Sequence, residues 1–455
     1  MGDYKEYLYQ KSHFSKDVGF TPNFLPDYLF DFQRALTEWA VKKGRAAIFA
    51  DCGLGKTPMQ LVWAENVVRH TNKNVLILTP LAVSYQTLRE AEKFDVGCKR
   101  SSDGKIKSKI TITNYERLCH FNAVDFIGVV CDESSILKNF NGKRKAEITE
   151  FMKKIPYRLL CTATAAPNDY IELGTSSEAL GYLGFIDMLS RFFKNDRENV
   201  SLRRMYGEPP KWRFKGHAEK PFWKWVSSWA RACRKPSELG FNDDGFILPK
   251  LHENYHMVED IAPPEGKLLN LPAVTMQEQR LEIKRTIKER CEMADNYVKN
   301  SERVGIIWCH LNEEAKVLKN MIKDSVEISG SDSDEKKENK FIAFLEGGTR
   351  ILITKPRIGA WGLNFQHCNH IIYFPSHSYE QYYQAIRRCW RFGQKKEVTV
   401  DIILTHGELR IMDNLKRKSE QASKMFNNMI QEMYNAERMN ISQNFGKKEE
   451  IPSWL

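Results

Sequence analysis

Two glycines, a lysine and a threonine stand together between an apolar segment and a helical pattern. The apolar segment Ala46–Phe49 leads into the string Ala-Asp-Cys-Gly-Leu-Gly-Lys-Thr, and a helical pattern follows it. Gly53 and Gly55 would let backbone amides wrap around phosphate oxygens, and the positive end of the next helix would add to the attraction. In such a loop Lys56 bridges the β- and γ-phosphates and the Thr57 hydroxyl binds Mg²⁺. The pattern predicts a nucleoside triphosphate site.

An acidic pair follows a second apolar segment. Ile127–Cys131 leads directly into Asp132 and Glu133. Asp132 suits the coordination sphere of Mg²⁺ through a water, and Glu133 is placed to polarise the water that attacks the γ-phosphate. Alone, an Asp-Glu pair after a strand is usually a solvated turn. Its strand context and its position after the phosphate loop favour a Mg²⁺-dependent ATPase.

Three further polar side chains lie where such an ATPase needs them. Gln33 precedes the phosphate loop, and its amide can bond both edges of adenine. Thr162 and Thr164 follow the apolar segment Arg158–Cys161, where hydroxyls can link the hydrolysis site to a nucleic-acid groove. Taken singly, the glutamine is more typical of a surface position and the threonines of a strand.

The late string Gln-Ala-Ile-Arg-Arg-Cys-Trp-Arg-Phe-Gly-Gln occupies residues 384–394. Arg388 and Arg391 are three apart, which places both on one face of a helical turn. Guanidinium groups match phosphate oxygens and stay charged, so a polyphosphate is the expected target. A solvent-exposed basic helix is the alternative. A glycine turn that contains Gly362 and Asn364 stands upstream, as expected beside a phosphate. This turn argues against the exposed-helix alternative.

The elements that position these groups alternate between short apolar segments and longer helical patterns. This alternation predicts parallel sheets covered by helices, with ligands beyond the carboxyl ends of the strands. A helical pattern, Glu408–Met439, ends the chain before a polar tail. The predicted strands are Ala46–Phe49, Val75–Leu78, Ile110–Thr113, Ile127–Cys131 and Arg158–Cys161 in a first block, and Val304–Trp308, Ser325–Ile328, Arg350–Thr354, His370–Phe374 and Val398–Ile403 in a second.

Length and composition limit what these motifs can mean. The 455 residues suffice for two or three domains, and the net charge of +11 favours a polyanionic partner. The ten cysteines form no C-x-x-C pair, so a reduced protein without bound zinc is expected. The N-terminus has no apolar stretch of the signal-peptide kind, and no window approaches a membrane span. A cytoplasmic location without membrane attachment is therefore predicted.

Together these motifs resemble a superfamily-two helicase, and most closely the Swi/Snf-type DNA translocases in the compact form that bacteriophages and mobile elements carry. The resemblance covers about residues 25–405. The family's late motif Q-A-x-x-R-x-x-R-x-G-Q is present with every fixed letter. The resemblance implies an α/β fold with two RecA-like P-loop domains in tandem. It also implies ATP and Mg²⁺ as cofactors, double-stranded DNA as partner, and a monomeric protein whose protein partners are unidentified.

The resemblance also implies roles for single residues. At the ATP site, Gln33 would read adenine, Lys56 and Thr57 would hold phosphate and Mg²⁺, and Asp132 and Glu133 would serve Mg²⁺ and the attacking water. Thr162 and Thr164 would couple hydrolysis to DNA, Gly362 and Asn364 would sense both ATP and DNA, and Arg388 and Arg391 would be arginine fingers. The residues that would contact the tracking strand are Thr79, Pro80, Asn114 and Tyr115. Three departures concern coupling. The acidic box reads Asp-Glu-Ser-Ser without the histidine of many relatives, and Trp390 stands where a histidine is common. The coupling segment reads Thr-Ala-Thr where many relatives have a Gly-Thr pair.

The predicted division of the chain is an N-terminal extension (1–24), a first RecA-like domain that binds ATP (25–186), a helical insert and linker (187–250), a second RecA-like domain (251–405), and a C-terminal helix and tail (406–455). In the insert, basic residues alternate with aromatic ones, and Arg203 and Arg204 are predicted DNA contacts. The aromatic residues either stack on bases or form a small helical core, and the core is favoured for the tryptophans.

The expected function is ATP-driven translocation on double-stranded DNA. Two alternatives stay open. One is a strand-separating helicase in replication or recombination that acts on DNA or RNA. The other, from a different class, is an ATP-gated clamp that binds DNA and recruits partners without stepping.

Overall fold

Parallel sheets lie at the centre of both halves of the chain. The computed structural model describes residues 17–195, 212–259, 276–359 and 364–445. The described strands of the first half are β1 (Arg45–Ala50), β2 (Asn74–Thr79), β3 (Cys98–Arg100), β4 (Ile110–Asn114), β5 (Phe126–Asp132), β6 (Tyr157–Cys161), β7 (Phe193–Asn195), β8 (Trp212–Phe214) and β9 (Ala230–Cys233). Seven of these described strands form one parallel sheet in the order β3-β4-β2-β5-β6-β1-β9, and β7 and β8 form an antiparallel pair.

Helices cover this first sheet. The helices are α1 (Asp31–Lys43), α2 (Lys56–Thr71), α3 (Ser84–Lys93), α4 (Lys143–Lys153), α5 (Leu173–Leu180), α6 (Phe185–Phe192) and α7 (Glu219–Ser227). The apolar segments that were predicted to be strands are buried on both faces of the sheet. Strands β5 and β6 show this pattern. A parallel sheet with helices on both sides requires this pattern.

The second half repeats the arrangement. Its described strands are β10 (Leu251–Met257), β11 (Gly305–Trp308), β12 (Ser325–Ile328), β13 (Ile351–Thr354), β14 (His370–Tyr373) and β15 (Val398–Leu404), in the parallel order β10-β15-β14-β11-β13-β12. Its helices are α8 (Met276–Arg285), α9 (Ile287–Lys299), α10 (Asn312–Met321), α11 (Asp334–Leu345), α12 (Pro356–Gly359), α13 (Tyr379–Arg387) and α14 (Leu409–Phe445). All five predicted strands are present in each half, and the prediction of two RecA-like α/β domains in tandem is confirmed.

The segment 187–250 differs from the separate helical insert that the sequence predicted. Within its described part, β9 pairs in parallel with β1 and extends the sheet of the first domain. Trp223, Trp225 and Trp229 are buried in the core of that domain, together with residues of α5 and α6. The tryptophans are therefore core residues and not base-stacking residues. Arg203 and Arg204 lie outside the described residues.

Helix α14 joins the two domains. Near its start, Ile411 and Leu415 belong to the core of the second domain. Three turns later, Met425, Met429 and Met433 are buried in the core of the first domain, against α7 and β9. One continuous helix thus packs into both cores.

None of the helices in the described part of the chain has the length and apolar character of a membrane span.

A buried carboxylate ties three strands of the second domain together. Asp401 on β15 accepts hydrogen bonds from His370 on β14 at 2.7 Å and from His256 and Asn254 on β10 at 2.8 and 3.0 Å. Burial by itself would raise the pKa of Asp401, but these hydrogen bonds outweigh it and hold the pKa well below its ordinary value. Two side chains of the edge strand β10, Asn254 and His256, are thus bonded to this carboxylate.

Replacing this carboxylate should make the second domain less stable in a pH-dependent way. Asp401→Asn is expected to lower the free energy of unfolding at pH 7 by about 2–3 kcal/mol, because buried donors lose a charged acceptor. A depressed carboxylate pKa stabilises the folded state above the unfolded pKa, and that contribution is lost as the pH falls. The difference between wild type and variant should therefore shrink below about pH 4. Urea unfolding at several pH values measures it, with the exposed Asp413→Asn as control.

Candidate active site

The phosphate loop connects the end of β1 to the start of α2. Gly53 and Gly55 have φ angles of 90° and 71°, in the region that favours glycine. A Cβ atom on Gly55 would lie 2.2 Å from Gln33 Nε2, and one on Gly53 would lie 2.9 Å from the backbone nitrogen of Phe392. Lys56 begins the helix, and its Nζ lies 3.0 Å from the carbonyl oxygen of Ala50. The loop therefore has both the conformation and the cation that a phosphate site needs.

The acidic pair lies at the carboxyl end of β5, two strands away from β1 in the same sheet. Asp132 is buried and accepts a 2.6 Å hydrogen bond from Gln60, which stands one turn after Lys56 on α2. Burial, and next the charge of Glu133, raise the pKa of Asp132 to about 6. Glu133 has a φ of 51°. A non-glycine residue takes this left-handed conformation only where its surroundings hold it there, which is common at functional sites.

The oxygen atoms near the loop fit Mg²⁺. Thr57 stands in the first turn of α2, and the Gln60 bond holds the Asp132 carboxylate against the same helix. Gln60 Oε1 is buried and has no hydrogen-bond partner among the described residues. Magnesium in nucleotide sites takes one or two carboxylate or hydroxyl oxygens in addition to phosphate and water. Thr57 and Asp132 supply such a set.

One predicted coupling residue, Thr162, touches the acidic pair, and the other, Thr164, is bonded to Thr162. Thr162 follows β6, and its hydroxyl lies 3.3 Å from Glu133 Oε2. The same hydroxyl accepts a 3.0 Å hydrogen bond from the backbone nitrogen of Thr164. The Thr164 hydroxyl is buried without a partner in the described part of the chain. The segment after β6 is thus bonded directly to the predicted catalytic carboxylate.

Gln33 lies beside the phosphate loop, and its predicted contact with adenine stays a prediction. Its Nε2 donates to the carbonyl oxygen of Leu54 at 3.0 Å, and its Oε1 accepts from the backbone nitrogen of Phe30 at 3.1 Å. The amide therefore fixes the start of α1 to the loop. Its neighbour Phe30 contacts Phe246 of the linker and Phe392 of the second domain, so three segments meet at this end of the loop.

The arginines of the second domain reach into the site of the first. Ser378 caps the start of α13 by accepting a hydrogen bond from the backbone nitrogen of Gln381. Beyond the end of this helix, Arg388 Nη2 lies 3.8 Å from Glu133 Oε1 and 2.6 Å from Gln384 Oε1. Arg391 Nη1 donates to Asn364 Oδ1. The structure brings together the predicted finger arginines, the acidic pair and the phosphate loop; the predicted Gly362 lies outside the described residues.

Arg391 retains an unused donor. Its Nε atom is buried and has no hydrogen-bond partner among the described residues. Burial, and next the charge of Arg388, lower the pKa of the Arg391 guanidinium to about 10. A buried guanidinium with an unpaired donor, close to a second guanidinium, would be stabilised by an additional anion.

The predicted DNA contacts share the same edge of the first sheet. Thr79 and Asn114 are neighbours in the register of β2 and β4, and both are buried. Pro80 and Tyr115 line a cavity of about 970 Å³ between the two domains. The Tyr115 hydroxyl donates to the carbonyl oxygen of Asp132 at 2.5 Å. The cavity wall is therefore bonded to the end of the strand that carries the acidic pair.

Sequence reasoning missed several residues of this site. Asp51 forms an ion pair with Arg387 across the cleft, and Tyr383 donates to the same carboxylate. Lys138 of the first domain pairs with Glu380 at the start of α13. All stand within or beside the predicted motifs. Their partners are hundreds of positions away, so the sequence held no signal for the pairing.

Part of the second domain matches a known sequence family. Residues 282–393 match the family described as helicase conserved C-terminal domain. This part of the chain is therefore similar to helicase C-terminal domains. It contains α13 and both predicted finger arginines, and the helicase resemblance is confirmed for this region.

One solved structure is similar to most of the chain. Among solved structures, the chain is similar to the Sulfolobus solfataricus SWI2/SNF2 ATPase core in complex with dsDNA, at 16% identity and a TM-score of 0.41. That similarity covers 90% of this chain and 96% of the other. No curated protein matches the chain in sequence.

The phosphate loop gives the first test of the site. Lys56→Ala should abolish both ATP binding and hydrolysis, because the loop loses the only side-chain cation at its helix start among the described residues. Equilibrium binding of a fluorescent ATP analogue and a phosphate-release assay measure the two effects. Lys73→Ala, at an exposed position just after α2, serves as the matched control and should behave like wild type. ATP binding of normal affinity in Lys56→Ala would contradict the assignment.

Proposed function

We propose that this chain is an ATP-dependent translocase of the Swi/Snf type that moves along double-stranded DNA. The observation that carries the ATPase part is the approach of Arg388, from the helicase C-terminal domain, to within 3.8 Å of Glu133 in the first domain. Hydrolysis between two domains needs groups from both, and the two groups meet here. The DNA part rests on the cavity beside this site and on the family resemblance.

The residues divide the work of hydrolysis. Lys56 and the loop amides hold the β- and γ-phosphates, while Glu133 orients the attacking water and accepts its proton. Arg388 and the unused donor of Arg391 stabilise the charge that develops on the transferred phosphoryl group. Mg²⁺, held by Thr57 and Asp132, would neutralise phosphate charge. Closure of the two domains is then favoured while the γ-phosphate is present.

The cavity of about 970 Å³ suits the backbone of a DNA strand. Its lining includes Arg89 and Arg100 of the first domain and Arg357 of the second. Cations on both sides of an interdomain groove can grip phosphates before and after a closure step. Tyr115 lines this cavity and bonds to Asp132, which gives the groove a direct connection to the ATP site. Each cycle of opening and closing would then advance the chain along the duplex.

Removing a finger arginine should stop turnover. Arg391→Ala is expected to reduce DNA-stimulated ATP hydrolysis by about a thousandfold or more. ATP binding should be largely retained, because the phosphate loop is intact. Steady-state phosphate release and equilibrium ATP binding test this expectation. Arg280→Ala, at an exposed position on α8, is the control. Near-normal turnover in Arg391→Ala would refute the finger role.

The cavity gives a separate prediction about DNA. Arg357 is exposed and lines the cavity from the second domain. If it pairs with a phosphate, Arg357→Ala should weaken binding to all duplex sequences alike and reduce the slope of log affinity against log salt by about one. Fluorescence anisotropy with labelled duplexes over a salt series measures the slope. An unchanged slope would place the DNA elsewhere.

The nature of the nucleic acid separates translocation from the two alternatives. ATPase stimulation by duplex DNA, single-stranded DNA and RNA at matched salt is the first measurement, and stimulation by RNA alone would exclude a duplex translocase. Triplex displacement without fork unwinding favours translocation over strand separation. DNA binding without sustained turnover would instead favour an ATP-gated clamp.

A further inference from the structure

Arg387 contacts the phosphate loop at a residue for which the motifs give no role. Its guanidinium forms an ion pair with Asp51, the first residue after β1, and its Nε lies 3.3 Å from Asp51 Oδ1. Tyr383, one turn earlier on α13, donates its hydroxyl to the same oxygen. The side chains of Arg387 and Asp51 are 8% and 6% exposed. The contact thus joins the two domains in a region sealed from water.

Every part of the Arg387 guanidinium is engaged by protein. Its Nη1 lies 3.3 Å from the carbonyl oxygen of Trp390, and its centre lies 4.7 Å from the centroid of the Trp390 ring. By contrast, Arg391 keeps a buried donor without a partner among the described residues. Three arginines stand close together, and among these described residues only Arg391 keeps a buried donor that an incoming phosphate could use. Arg387 has a different task.

Asp51 also needs Arg387 for an electrostatic reason. Its carboxylate is buried within the loop that must hold a polyphosphate, and Oδ1 accepts a 2.6 Å hydrogen bond from the backbone nitrogen of Cys52. An uncompensated carboxylate in this place would repel the phosphates. The ion pair neutralises it and fixes the loop at the same time.

The position of Arg387 in the chain links its contact with Asp51 to the orientation of Arg388 and Arg391. Arg387 is the last residue of α13, and Arg388 and Arg391 follow immediately. Because Glu380 at the other end of the helix pairs with Lys138, α13 is attached to the first domain at both ends. The orientation of Arg388 towards Glu133 is therefore set relative to the phosphate loop itself.

We propose that Arg387 is a positioning residue that anchors α13 to Asp51 of the phosphate loop and thereby aligns Arg388 and Arg391 with Glu133. The proposal rests on the proposed ATPase function. It concerns a position that the family motif leaves variable. Its guanidinium is bonded to Asp51 and to the carbonyl oxygen of Trp390, so the proposed role needs no contact between Arg387 and phosphate.

A double-mutant cycle in the full chain tests the pairing. Arg387→Gln and Asp51→Asn should each lower kcat of DNA-stimulated hydrolysis by about tenfold to 100-fold, because the finger arginines lose their alignment. The double variant should be no more than about twofold worse than the poorer single variant, since both remove one interaction. ATP affinity should change by less than about threefold in Arg387→Gln. Losses that multiply in the double variant would overturn the proposal.

Two replacements of Arg387 separate charge from packing. Arg387→Lys retains a cation for Asp51, whereas Arg387→Met retains length and an apolar contact with the Trp390 ring. If the ion pair positions α13, lysine restores part of kcat and methionine does not. Rescue by methionine and not by lysine would show a packing role and overturn the proposal.

Hydrogen exchange of the nucleotide-free protein keeps this inference independent of the ATPase assignment. In Arg387→Gln, amides of residues 51–57 and 379–394 should exchange faster than in wild type. Arg350→Gln is the matched control, because it removes an arginine–aspartate pair with Asp324 inside the second domain. Unchanged exchange in Arg387→Gln would overturn the anchoring role. Absence of ATP hydrolysis in wild type would refute the proposed function, and the exchange result would still decide the role of Arg387.

Discussion

Three guanidinium groups are crowded into the cleft between two domains, and each must meet negative charge there. Arg387 and Arg388 are buried, and Arg391 is partly so. Burying cations without partners is costly, and like charges close together increase the cost. The first domain supplies Asp51 and Glu133 as partners. Two carboxylates against three guanidinium groups leave one positive charge, which a triphosphate can compensate. The need to neutralise these cations thus explains both the closed arrangement of the domains and the proposed substrate.

The parallel sheets make this meeting possible. In a parallel sheet all carboxyl ends lie on one edge, so the residues after β1, β5 and β6 stand side by side although the chain separates them widely. The second sheet presents the segment after β14 to that edge through α13. Helix α14 then returns to the first domain with Met425, Met429 and Met433 in its core. Methionine side chains adapt to small shifts in packing, which suits a helix that joins two domains.

The sequence allowed most of the fold to be predicted, because buried parallel strands are short apolar runs with polar residues directly after them. The positions of the phosphate loop and the acidic pair were predictable for the same reason, since each stands directly after a buried strand. Their roles towards ATP stay predictions. The attachment of β9 to β1 was not predictable. Its four residues follow a segment rich in aromatic side chains, and only the three-dimensional core shows that those side chains belong to the first domain.

The pairings across the cleft were beyond sequence reasoning for a different reason. Asp51 and Arg387 are 336 positions apart, and each has an ordinary local explanation, one as a loop residue and the other as part of a basic string. The same applies to Lys138 and Glu380. A residue pattern shows which groups can do chemistry, but partners in another domain depend on how the domains pack.

These pairings also bear on the missing histidine of the acidic box. The Asp-Glu-Ser-Ser sequence contains no histidine that could connect the proposed hydrolysis site to the second domain. Glu133 instead contacts Thr162 within its own domain and faces Arg388 of the other. Lys138, five residues after Glu133, pairs with Glu380 on α13. The acidic segment is thus joined to the second domain by two ionic contacts, at the start of α13 and just beyond its end. In the proposed ATPase, a change in phosphate charge beside Glu133 would act on that helix through these contacts without the histidine.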